Sequence, residues 1–144
     1  MGKESQTWPR RIAAGLCATV ISALGSYAIA LGATRTVGHC SFRSPQKDCN
    51  AQAYMKNKPK AIVIHASASP GQVFRVPYRV FCQAGGGEGT FAKQDRHGQS
   101  TSGSFTKVIR IPKRARTSHC TAAAAIFLQG GSGGSGQLTL KERT

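Results

Sequence analysis

Five cysteines, four histidines and five carboxylates are the side chains of this 144-residue chain with which metal, acid-base or nucleophilic chemistry could be built. His39-Cys40 and His119-Cys120 have the ligand types that zinc prefers, imidazole and thiolate. Neighbours on a strand point to opposite faces, so a histidine and the cysteine beside it cannot readily meet one ion. No C-x-x-C pair is present either. Cys40, Cys49, Cys82 and Cys120 form an even set, which in an exported chain predicts two disulfides with three possible connectivities.

The carboxylates Glu4, Asp48, Glu88, Asp95 and Glu142 are scattered, and no two lie at a spacing that would pair them for acid-base work. Asp95, His97, Ser100 and Ser102 crowd one stretch, KQDRHGQSTSGS, but a triad needs each group held by packed neighbours, and this stretch reads as a polar loop. In GGGEG the acid Glu88 would repel a phosphate, and no helix follows to supply a dipole, so the segment reads as a tight turn. No catalytic residue, cofactor or metal is therefore expected, and the chain is read as a non-enzyme.

Charge is the signal that remains. Lys and Arg number 20 against 5 Asp and Glu, a formal net charge of +15. The densest run is Lys107, Arg110, Lys113, Arg114 and Arg116; Arg75 and Arg79 share one strand face, and Lys56, Lys58 and Lys60 form another set. Such a field attracts anionic polymers and surfaces: cell-wall polyanions, anionic lipid head groups, acidic glycans or free nucleic acid. No helix-turn-helix, zinc-finger or RNP-like motif is visible, and aromatic residues are few, so sequence-specific nucleic-acid recognition is not expected.

The segments that must position these residues differ in character along the chain. Lys3, Arg10 and Arg11 precede Ile12 to Ala33, a run of 22 residues without a charge. This is a signal peptide or a membrane anchor, expected to be a hydrophobic helix: Ala28-Ile29-Ala30 fits a cleavage site, and the run is long enough to span a bilayer. A long downstream domain translocates largely regardless of its charge, so the body is expected to be secreted or extracytoplasmic. Without residues 1–33 it keeps 17 basic against 4 acidic residues, a net of +13.

Residues 34–58 show no sustained period and contain Pro45, which predicts an irregular segment closed by a local Cys40–Cys49 bond. From Lys60 onward, short β-branched and aromatic segments alternate with turns, as in an all-β sandwich or barrel. Strands are predicted at 60–69, 72–84, 90–93, 105–111, 120–128 and 137–141. Over 72–84 the residues Phe74, Val76, Tyr78, Val80, Cys82 and Ala84 share one face, and Pro77 demands an edge or a bulge. The run CTAAAAIFL has alanines that favour helix in isolation, but Cys120, Ala122, Ala124, Ile126 and Leu128 alternate as a strand. GGSGGSG is then a long hairpin loop leading to the last strand.

Inward Cys82 and Cys120 on two long strands suit an inter-sheet disulfide, and in that arrangement residues 59–142 resemble an immunoglobulin-like domain in architecture. The expected organisation is a leader over 1–33, the disulfide-closed segment over 34–58, and a small immunoglobulin-like β-sandwich over 59–144. Functionally it is expected to be a binding module for an anionic envelope or extracellular partner, with a possible protein partner besides. A cationic secreted effector, antimicrobial or enzyme-inhibiting, is the alternative.

Overall fold

The computed structural model describes residues 33–83, 90–116, 119–131 and 133–144, so the expected leader helix and the GGGEG turn lie outside the described residues. Within them, no helix is long and apolar enough to cross a membrane. The described residues are nearly all-β, in two antiparallel sheets: β1 (Thr34–Arg43), β2 (Asp48–Met55), β3 (Ala61–Ala68), β4 (Val73–Arg75), β5 (Tyr78–Cys82), β6 (Phe91–Asp95), β7 (Ser100–Ser102), β8 (Ser104–Arg110), β9 (Cys120–Gln129) and β10 (Ser135–Arg143). A short 3₁₀ turn, Lys113–Ala115, follows β8, because Pro112 cannot continue the ladder.

The first sheet has the order β1-β10-β3-β8. In the second, β9 is central: β2 pairs along one edge, β4 and β5 lie end to end along the other, and β6 and β7 pair outside β5 and β4. Counting β4/β5 and β6/β7 as single bent strands, each sheet has four rows, and the chain crosses between sheets after β1, β2, β3, β7, β8 and β9. That connectivity is a jelly roll. The immunoglobulin-like expectation is thereby corrected, since the last strand, β10, sits between β1 and β3 in the first sheet, whereas an immunoglobulin sandwich keeps its final strand in the opposite sheet.

One apolar cluster fills the space between the inner faces. Ile62 and Ile64 of β3 and Leu138 and Leu140 of β10 meet Met55 of β2, Phe74 of β4, Val80 of β5 and Ile126 of β9, all fully buried. The alternation expected for β9 is present: Cys120, Ala122, Ala124, Ile126 and Leu128 are buried.

Three further expectations are corrected. Residues 34–58 are not irregular, for they form β1 and β2, whose inward residues include Phe42, Ala51, Ala53 and Met55. The GGSGGSG run is not a hairpin loop: β9 and β10 belong to different sheets, and β10 already begins at Ser135. Gly136 faces the core, where a Cβ would meet the Phe42 ring at 2.6 Å. Finally, the long strand expected from residue 72 is two strands, β4 and β5, broken at Val76-Pro77. Pro77 cannot donate to the ladder, although its carbonyl still accepts from Ala125 N–H at 3.0 Å.

Both disulfides pair as expected, but their roles are exchanged. Cys82 and Cys120 are direct cross-strand partners on β5 and β9, within one sheet, so this bond does not join sheets. Cys40–Cys49 does: it ties β1 of the first sheet to β2 of the second.

Candidate functional site

The basic residues gather through strand register. On the outer face of the first sheet, Arg110 of β8 is opposite Ala61 of β3, and Ala61 is opposite Arg143 of β10. Two arginines thus flank an alanine, separated by two strand spacings, about 9–10 Å. The small side chain between them leaves a cleft of about 710 Å³, lined by Lys60, Ala61, Val108, Arg110, Arg116 and Arg143.

Each cation is placed by backbone structure. Lys60 extends the ladder on both sides, its N–H donating to Arg143 O at 2.7 Å and its carbonyl accepting from Ile111 N–H at 2.9 Å. Arg116 is brought back by the 3₁₀ turn, and its Nε donates to Ile111 O at 3.1 Å. Arg143 Nε is buried without a hydrogen-bond partner.

No carboxylate lines this cleft. The register also directs no Asp or Glu outward on any strand of this sheet, whereas Arg43, Lys141, Arg143 and Arg110 do face outward, interspersed with hydroxyl-bearing and histidine side chains. One of these histidines, His65, shares a hydrogen bond of 2.9 Å with Thr106 Oγ1. The acid of β10, Glu142, points the other way and is fully buried. Its Oε1 accepts from Asn57 Nδ2 at 2.8 Å and pairs with Arg35 Nε at 3.1 Å, while Oε2 has no partner.

The five basic residues singled out in the sequence are therefore divided. Arg110 and Arg116 line the cleft; Lys113 and Arg114 are exposed on the adjoining turn. Lys107 lies an odd number of residues from Arg110 on β8 and so faces the other side of the strand. Lys60 appeared in the sequence only as part of another basic set. Arg143 was not singled out, and the only signal for it was its place in the final alternating segment, which does not say which strand lies alongside.

The stretch expected as a polar loop is instead two strand segments joined by a turn, with Asp95 ending β6 and Ser100 beginning β7. Asp95 Oδ1 accepts from the backbone N–H of His97 at 3.2 Å and of Gly98 at 2.9 Å, forming a turn rather than orienting an imidazole. Gly98 has φ 68°, and a Cβ there would meet the backbone of Val76 and Pro77 at 2.7–2.8 Å, so the turn packs into the break between β4 and β5. Among the described residues no group of three or more His, Cys, Asp and Glu could hold a metal ion. Cys40 and Cys120, beside His39 and His119, are in disulfides. No protein-family model matches the chain, and no curated protein matches it in sequence.

Proposed function

We propose that the chain is an extracytoplasmic, non-catalytic binding module that holds an anionic polymer or surface against the outer face of the β1-β10-β3-β8 sheet, with the Lys60–Arg110–Arg116–Arg143 cleft as its strongest point. The supporting observation is four cations around one concavity with no carboxylate in its lining. Like charges held together without counterions repel one another, and an anion relieves that repulsion; guanidinium forks add paired hydrogen bonds to phosphate, sulfate or carboxylate oxygens. Two disulfides are compatible with an oxidising compartment outside the cytoplasm.

The test is retention on immobilised polyphosphate and heparin across a salt gradient. Elution of the oxidised protein above physiological ionic strength is expected, shifting to markedly lower salt in the Lys60→Ala/Arg143→Ala variant. Elution below physiological salt, or no shift in the variant, would overturn the reading.

A further inference from the structure

The outer face of the second sheet differs from the basic face. Of the five exposed large hydrophobic residues described, four point outward here: Tyr54, Val73, Phe81 and Phe127. Register arranges them around a trough. Along its floor run Thr121, Ala123 and Ala125, three of the outward residues of β9, with Phe127 next in the same row. Tyr54 and Gln52 of β2 stand on one side, opposite Thr121 and Ala123, and Phe81 and Arg79 of β5 stand on the other. The two walls are two strand spacings apart, about 9–10 Å, and Thr121 to Phe127 runs about 20 Å.

We infer that this trough binds single-stranded nucleic acid, with bases stacked on Tyr54 and Phe81 and the backbone drawn by Arg79. Three observations favour this occupant. Tyr54 is 77% exposed and Phe81 37%, so their rings are open to a planar ligand, and an exposed sheet with such rings is a sequence-tolerant stacking platform. The alanine floor keeps the space between them clear, leaving cavities of about 550 and 90 Å³ along β9 and about 450 Å³ beside Phe81. Charge is complementary to a polymer with an anion on every repeat: Arg79 lines all three cavities, and no carboxylate lines the two at the Tyr54–Phe81 end. Of the two nearest acids, Asp48 lies beside Phe127 at the far end, and Asp95 lines the 550 Å³ cavity together with Arg79 and Arg96, its Oδ1 held by the backbone of its own turn. Gln52 and Gln94, in the row of Arg79, offer amide donors and acceptors to base edges.

This inference concerns a different face from the proposed anion cleft, and base stacking separates the two. Fluorescence anisotropy of the full, oxidised chain would compare an oligothymidylate with an abasic oligonucleotide of equal length, which keeps the phosphates and lacks the rings. Tighter binding of oligothymidylate is expected, with the preference falling about tenfold in each of Tyr54→Ala and Phe81→Ala. Polyphosphate retention should be unchanged in both variants. Tyr54 is so exposed that its truncation leaves the core intact, which an unchanged circular dichroism spectrum would verify. Equal affinity for the two oligonucleotides would overturn the inference while leaving the cleft standing. A uronate oligosaccharide released by Tyr54→Ala, with no preference for bases, would overturn it in favour of a glycan. Preference for bases without polyphosphate retention would support the trough and sink the cleft.

Discussion

Gly136 shows how much one missing methyl group decides. Its Cβ would lie 2.6 Å from two carbons of the Phe42 ring and 3.2 Å from Ile126 Cδ1. An aromatic ring locked in a core cannot swing aside as a lysine tip would, so Gly136→Ala should lower stability by about 1–3 kcal/mol through overpacking. Gly131, in the same glycine-rich run, would carry a Cβ with nothing within 4 Å of it, and Gly131→Ala should change stability by less than about 0.5 kcal/mol. Urea denaturation of the pair checks this; equal effects would mean that Gly136 does not face the Phe42 ring. Arg35 acts in a different way. Its own side chain is largely in water, yet it is the one cation paired with buried Glu142 among the described residues. Arg35→Ala leaves that carboxylate with the Asn57 amide alone, and a loss of about 1–2 kcal/mol is expected in the same assay.

At the level of elements, the disulfides do different work from what the chain order implies. By loop entropy alone, Cys82–Cys120 closes 38 positions and contributes about 4 kcal/mol, and Cys40–Cys49 closes 9 and contributes about 2.7 kcal/mol. The longer loop, however, joins strands already paired by β5–β9 hydrogen bonds, while the shorter joins two sheets. Replacing Cys40 and Cys49 by alanine should therefore raise hydrogen exchange in β1 and β2 selectively, and replacing Cys82 and Cys120 should lower the global urea midpoint more. Uniform exchange throughout in the first variant would count against the inter-sheet role. The sequence made β9 legible because five inward residues alternate without interruption. It concealed β1 because the register shifts between Thr36 and Gly38, and a bulge breaks the period of two. It concealed β2 because Ala51 and Ala53 are weakly apolar, although the alternation Cys49, Ala51, Ala53, Met55 is present. Alternation tells which way a side chain faces and never which strand lies beside it. For that reason the sheet joined by each disulfide, and the meeting of Lys60, Arg110 and Arg143, could not be read from spacing.

For the whole molecule, the question is whether a charge of +15 acts as a diffuse field or through a place. Net charge alone draws polyanions and speeds encounter without a site, and it would make every surface cation nearly equivalent. The fold supplies a comparison that separates the two. Lys107 and Arg110 lie three residues apart on β8, both exposed, on opposite faces of the strand. Lys107→Glu and Arg110→Glu change the net charge by the same amount and leave the core residue between them, Ile109, in place. A diffuse field predicts the same fall in retention salt for both. The cleft predicts that Arg110→Glu loses far more, because it places a carboxylate against Lys60, Arg116 and Arg143 and fills the concavity with an internal counterion. A several-fold weaker affinity for polyphosphate in Arg110→Glu than in Lys107→Glu is the expected result, with a shallower dependence on salt as fewer cations remain to be neutralised. Indistinguishable variants would mean that the charge serves solubility and steering alone, and the cleft would lose its standing as a binding site.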